Sequence, residues 1–416
     1  MTLTTPITVV RGRFLDIQKT VSQAQDIIDQ VRYIEDGVLI AKQGQIRWFG
    51  SWDDAQAHLP ANVEIQHYPE QLIIPGMIDT HIHFPQTEMV GAYGEQLLSW
   101  LNTYTFPTEI QFQDPSYAQK IAEFFIQELL KNGTTTALVF CTVHPESVDA
   151  LFEAAAQQQM RLIAGKVMMD RHAPEALCDT AESAYEDSKA LIGKWHGQGR
   201  ALYAITPRFA PTSTPEQLER AGQLKAEFPD VYVHTHLSEN KDEIAWVKDL
   251  FPEQKGYLDV YHHYGLTGNR SVFAHCVHLE DAEWQCMHET DSAIAFCPTS
   301  NLFLGSGLFP LKKTWQQQVK VGLGTDIGAG TSFSLLQTVN EAYKVQQLQG
   351  DKLSAFESLY HATLGGAKAL DLDNKLGNFN VGKEADFVVL NLKPTALQEL
   401  RQSRAKSLED SLFALF

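Results

Sequence analysis

Residues 76–83 read GMIDTHIH, a short apolar run that ends in two histidines one residue apart. In an extended strand residues i and i+2 point to the same side, so His81 and His83 share one face. The pair alone does not separate a metal site from two ordinary histidines. The surrounding pattern says more. Comparable runs recur as TTTALVFCT (134–142), RLIAGKVMMD (161–170), ALYAITPRFA (201–210), VYVHTHLSE (231–239), SVFAHCV (271–277), SAIAFCP (292–298) and KVGLGTD (320–326). Helix-like stretches lie between them. SYAQKIAEFFIQELLKNG closes on a glycine cap, and TPEQLERAGQLKAEF opens on a threonine with an acidic first turn. Short continuous apolar strands alternating with helices predict a parallel sheet covered by helices. Eight such units fit a (β/α)8 barrel of about 250 to 300 residues. The rival is a doubly wound open sheet, but no GxGxxG follows any of these strands.

Outside the barrel the texture is different. Residues 1–74 read as short β segments, among them ITVVRGRFLDI and GVLIAKQGQIRWFG, and residues 372–416 return to β texture in GNFNVGKEADFVVLNL. We expect three segments: 1–74 and 372–416 as the two parts of a smaller β-sandwich, and 75–371 as the barrel. Of the 416 residues 44% are hydrophobic and 20% charged, which suits a folded globular protein. The net charge of −18 disfavours phosphate backbones and acidic membranes. No run approaches the roughly 18 to 20 apolar residues of a membrane span. The opening MTLTTPITVVRGRFLD lacks the basic and apolar regions of a signal peptide. Five scattered cysteines without a CxxC pair predict a reduced, cytoplasmic protein.

Barrels of this kind place their chemistry at the C-terminal ends of the strands. Strand 1 ends in His81 and His83, strand 5 in HTHLSE with His234, His236 and Glu239, strand 6 in AHC with His275, and strand 8 in GTD with Asp326. Three histidines and a carboxylate meet the needs of a catalytic divalent metal, and His81, His83, His236 and Asp326 would supply them for one Zn²⁺. The metal would bring its water's pKa toward neutrality and give a hydroxide nucleophile. A carboxylate off the metal must then move protons, and Glu239 lies three residues past His236. His234 sits deeper in its strand and reads as a core histidine or one that supports a ligand. The other loop and helix histidines, such as His144, His262, His263, His288 and His361, read as solvated or hydrogen-bonded.

The blocks PGMIDTHIH, THLSE, AHC and GLGTD resemble the amidohydrolase superfamily of metal-dependent barrel hydrolases. LLSWLNTYTFPTE (97–109), TPRFAPT (206–212) and CPTSNLFLGSG (297–307) are similar to its guanine-deaminating branch. The resemblance runs over about residues 8 to 414 and implies zinc-dependent deamination of guanine to xanthine and ammonia in purine catabolism or salvage. It implies one Zn²⁺, or Fe²⁺ in its place, on His81, His83, His236 and Asp326. Glu239 would shuttle protons, with Asp326 also taking up the water's proton. His275 would hydrogen-bond the water or the developing oxyanion. Gln86 and the Arg208–Phe209 pair would hold guanine, with Trp100 as a further wall and His83 and His236 beside the substrate. A flat heterocycle rich in donors and acceptors suits an aromatic face, an Arg fork for O6 and N7, and an amide.

Binuclear members carry a carboxylated lysine on strand 4. Here TPRFA stands there and Lys166 lies within strand 3, so a mononuclear site is expected. The nucleobase deaminases with HxE and PCxxC motifs are excluded, since CPTSN is not PCxxC. Two alternatives remain open. One is a related hydrolase that deaminates or dechlorinates another heterocycle, such as a triazine, cytosine or a thioadenosine-type nucleoside. The other is a barrel that lost its metal and its catalysis. The resemblance also implies a homodimer. It carries relatives past the DSLFALF helix into one more hairpin, so the sandwich is expected to be short by that hairpin where the chain stops at Phe416.

Overall fold

The computed structural model describes residues 7–93 and 96–416. The first six residues of the stretch inspected for a signal peptide lie outside these. The chain divides into two compact units, residues 1–78 with 352–416, and residues 79–351. The segment 352–371, which the sequence reading gave to the barrel, groups with the chain ends.

The first unit is built on a five-stranded sheet. Its strands are β1 (Ile7–Ile17), β2 (Val31–Lys42), β3 (Gln45–Ser51), β4 (Ile65–Pro75) and β14 (Phe387–Leu390), in the order β14-β4-β1-β2-β3. The C-terminal β14 lies antiparallel to β4, with Phe387 opposite Pro75 and Leu390 opposite Leu72, so both ends of the chain contribute to one sheet as expected. Alternation along each strand fills both faces. Val10, Phe14, Leu39 and Ala41 join one apolar cluster, while Val9, Val38 and Ile40 join another with Trp48 and Trp52. Among the described residues these two faces belong to one sheet, and helices and loops, rather than a second sheet, complete the layers.

The second architecture is the barrel. It comprises β5 (Met77–His83), β6 (Thr134–Phe140), β7 (Arg161–Gly165), β8 (Val167–Met168), β9 (Ala201–Pro207), β10 (Tyr232–Leu237), β11 (Ser271–His275), β12 (Ala293–Phe296) and β13 (Lys320–Leu323). The order runs β5-β6-β7-β9-β10-β11-β12-β13, with β8 paired to β9. Strand 3 was expected as one run. It is interrupted at Lys166, whose buried ammonium turns to Asp179.

The last strand returns to the first. Thr80 Oγ1 donates to Leu323 O at 2.9 Å, Asp326 N–H to His81 O at 3.0 Å and His83 N–H to Ile327 O at 2.9 Å. Asp79 reinforces this seam by accepting the Thr325 N–H at 3.1 Å and the Thr325 hydroxyl. Gly324 is required there, because a Cβ would lie 2.9 Å from His81 Cβ and 3.0 Å from His81 O.

The expected caps form. Thr214 Oγ1 accepts the Gln217 N–H to open the helix Pro215–Glu227. Gly133, at φ 81°, follows the helix Pro115–Lys131. No helix among the described residues is long and apolar enough to cross a membrane.

Candidate active site

Each strand end delivers its residue by a local device. His81 and His83 occupy alternate positions at the end of β5. Parallel pairing sets His236 opposite Ala274 and Leu237 opposite His275. The His236 and His275 rings therefore stack, with centroids 5.4 Å apart and planes 17° apart. β10 ends at Leu237, and Ser238 turns the chain at φ 49°, which carries Glu239 to the strand mouth. Asp326 stands three residues beyond β13, itself at φ 53°.

His81 Nε2 and His83 Nε2 lie 3.1 and 3.3 Å from Asp326 Oδ1, and His236 Nε2 lies 3.2 Å from His83 Nε2. The outer nitrogens fix two of the rings. His236 Nδ1–H donates to Arg208 O at 2.7 Å, and His81 Nδ1 pairs with His234 Nε2 at 2.8 Å. His234 thus holds the His81 ring from within its own strand. Burial lowers the pKa of His81 and of His236, and brings His83 down to about 3, so the imidazoles are neutral. Burial opposes ionisation of Asp326, but its contacts with His81 and His83 hold the carboxyl well below the usual range. Neutral imidazoles and a carboxylate are the protonation states a metal requires.

This donor set fits a divalent metal. His81 Nε2 is buried and makes no hydrogen bond, although it faces Asp326, and an orphaned lone pair among convergent donors is costly without an ion. Of the described residues, His81, His83 and His236 form one metal-sized cluster and His81, His275 and Asp326 another.

Glu239 and His275 form the next layer. His275 Nε2 is 3.4 Å from Glu239 Oε2 and 3.8 Å from Asp326 Oδ2, while its Nδ1 pairs with Asn301 Oδ1 at 2.9 Å. Burial, and then the charge of Asp326, push the Glu239 carboxyl up to about 8, against a hydroxyl donated by Ser306 at 3.0 Å. Asp79 is pushed up to about 7 by burial and belongs to the strand seam.

A pocket lies over these groups, lined by His83, His236, Glu239, His275 and Asp326 on one side and by Gln86, Trp100, Arg208 and Phe209 on the other. Leu97, Leu101 and Leu304 add apolar surface. Every expected binding residue therefore faces one space. Gln86 sits in the tight turn Phe84–Met89, and its Oε1 accepts the Gly328 N–H at 3.0 Å. A Cβ on residue 328 would come within 2.7 Å of Gln86 O, so only glycine permits this approach.

Trp100 belongs to a helical stretch whose residues Leu101–Thr105 form a π turn. Pro107 stands two residues past Thr105, and a proline cannot donate to the carbonyl four residues before it. The widened turn brings Trp100, Leu101 and Glu109 to bear on the pocket side.

Sequence reading missed four residues here. Glu109 is fully buried and accepts Gln86 Nε2–H at 3.0 Å and Arg208 Nη1–H at 2.7 Å. Part of the Arg208 fork is therefore committed to an ion pair rather than free for a ligand, as the sequence reading had it. Glu243 accepts the Glu239 and Asn240 N–H groups at 3.0 and 3.1 Å and the Tyr257 hydroxyl at 2.8 Å. Asn301 comes from the short helix Pro298–Phe303 after β12, and Ser306 from the loop beyond it. The signals were faint: Glu109 stands inside the quoted LLSWLNTYTFPTE, and Asn301 and Ser306 inside CPTSNLFLGSG.

Residues 72–412 match the amidohydrolase family. The chain is 63% identical over 406 residues to the guanine deaminase of Escherichia coli (strain K12), covering 98% of this chain and 92% of that protein. The solved structure of E. coli guanine deaminase superposes with a TM-score of 0.96 at 61% identity, over 99% of this chain and 94% of that one. A guanine deaminase from C. acetobutylicum, solved with guanine bound in the active site, superposes with a TM-score of 0.88 at 31% identity, over 98% and 95% of the two chains.

Proposed function

The chain belongs to the amidohydrolase family, and from that membership we propose that it deaminates guanine hydrolytically to xanthine and ammonia. The observation that carries this is the joining, in one pocket, of a metal-type donor set, a buried protonatable Glu239 and a wall of Gln86, Arg208 and Phe209. The similarity to guanine deaminases supports the same substrate.

His81, His83, His236 and Asp326 would hold one Zn²⁺, or Fe²⁺ in its place. The bound metal supplies Lewis acidity, which makes water a nucleophile near neutral pH. The chain's own residues do the rest. Glu239, with its raised proton affinity, takes the proton that water gives up and passes it to N3 of the purine as C2 is attacked. It next takes the proton of the hydroxyl now on C2 and delivers it to the exocyclic amine, which departs as ammonia as the C2 carbonyl forms. His275, anchored through Nδ1 on Asn301, turns Nε2 toward the oxygen that develops charge. Phe209 and Trp100 flank the ring, and Gln86 and Arg208 orient its edge. We also read the chain as a cytoplasmic homodimer, from its free cysteines and from the family resemblance.

The test is a spectrophotometric comparison of guanine with adenine, cytosine and melamine, with zinc and iron counted in the same sample. Guanine turnover with about one metal per chain is expected. A metal-loaded enzyme that leaves guanine intact would overturn the reading.

A further inference from the structure

The polar wall of the pocket is assembled around Glu109. Its Oε1 accepts Gln86 Nε2–H at 3.0 Å and its Oε2 accepts Arg208 Nη1–H at 2.7 Å. All three side chains are buried, Glu109 completely. Gln86 Oε1 in turn accepts the Gly328 N–H at 3.0 Å. The amide is therefore held at both ends. Turned by 180°, it would set its oxygen against the Glu109 carboxylate and its NH₂ against the Gly328 N–H, and both contacts would repel. Arg208 is held twice as well, by Glu109 and by the Phe106 ring, whose centroid lies 5.6 Å from the guanidinium carbon.

We propose that Glu109 is a positioning residue that makes this wall a donor wall, and so selects purines with an oxo group at C6. The inference rests on the reading of the site as a guanine-deaminating pocket. Gln86 keeps one uncommitted N–H, and its oxygen is engaged by Gly328. Arg208 has five N–H groups and no acceptor, and only its Nη1 serves Glu109. A purine with a carbonyl at C6 and a lone pair at N7 presents acceptors to such a wall. The same ring with an amino group at C6 presents N–H to N–H and leaves buried donors unpaired, a mismatch that binding sites reject strongly. Glu109 touches neither the ring nor the reacting carbon. It acts through the two side chains that do.

The experiment compares guanine with 2,6-diaminopurine, which carries the same 2-amino leaving group, as substrates of the metal-loaded full chain. Wild type, Glu109→Gln and the exchange Gln86→Glu/Glu109→Gln are measured. We expect wild type to favour guanine by about a hundredfold or more in kcat/KM. In Glu109→Gln the amide loses one of its two holds, the carboxylate that fixes its NH₂, and the ratio falls by about tenfold or more, mainly through KM for guanine, with metal content and the pH profile of kcat unchanged. The exchange keeps a carboxylate beside Arg208 but presents an acceptor from position 86, so the ratio falls at least as far. It decides the matter if Glu109→Gln does not fold. A wild type that turns over guanine, with a variant that is slower but equally selective, overturns this inference alone and leaves Glu109 a structural residue. A wild type inert toward guanine overturns the substrate reading and this inference with it.

Discussion

Ser306 donates its hydroxyl to Glu239 Oε1 at 3.0 Å, across 67 residues of chain. The bond favours the ionised carboxylate, while burial and Asp326 push the carboxyl up to about 8. Replacing Ser306 by Ala removes this opposing contribution and raises the proton affinity of Glu239 further. The limb of the kcat–pH profile that Glu239 controls should move to higher pH. A profile that stays in place would separate that limb from Glu239.

Glu239→Gln keeps the size and loses the proton. Turnover of guanine should fall by about a hundredfold to ten-thousandfold, with metal content unchanged, because Glu239 is not among the convergent ligands. Elemental analysis beside a turnover assay checks both halves. Near-normal turnover would remove Glu239 from its assigned role.

Glu243 gives a stability prediction with a definite sign. Burial, and then the charge of Glu239, push its carboxyl from 4.5 up to about 7. The folded state keeps a proton that the unfolded chain has released, so the contribution to stability is complete below pH 4.5 and is lost as pH rises toward 7. The loss is at most about 3 kcal/mol. Chemical denaturation at a series of pH values should show a shallower decline in Glu243→Gln than in wild type across this window.

Arg208 neutralises a carboxylate that has 0% exposure. Arg208→Met should cost about 3 to 5 kcal/mol, because it leaves Glu109 charged and alone in the interior. Adding Glu109→Gln should restore most of the melting temperature but not guanine turnover. Thermal melts of the single and double variants, read beside activity, separate the structural cost from the loss of binding.

Metal removal should be visible without any substrate. Neutral imidazoles and a carboxylate each lie within 3.3 Å of a neighbour in the set, and an ion that binds only the folded state raises stability with its concentration. Dialysis against a chelator should lower the melting temperature, and zinc added back should restore it in a concentration-dependent way. His81→Ala should lose that response.

The parts of this site that were legible in the sequence share one property: they follow from strand periodicity. His81 and His83 are two apart in an apolar run. His236, His275 and Asp326 each close another such run, so the barrel rule alone gathers them. The helix ends at Gly133 and Thr214 were legible for the same local reason. What was not legible is held by long-range contact. Glu109 sits 99 residues from Arg208 and 23 from Gln86, on a short helical turn whose phase is set by a π turn. No spacing announces it. Ser306, Asn301 and Glu243 are likewise placed by loop and helix packing. The break at Lys166 needed Asp179, thirteen residues on, to be understood.

The seam between the first and last barrel strands has a consequence for assembly. The bonds from Asp326 N–H to His81 O and from His83 N–H to Ile327 O join the backbone that carries the proposed ligands His81 and His83 to that of Asp326 and its neighbour. While the chain is still open, the donors of β5 and the donor beyond β13 are separate weak binders, some 240 residues apart in sequence. Tight capture of an ion by this donor set would therefore wait on closure of the ring.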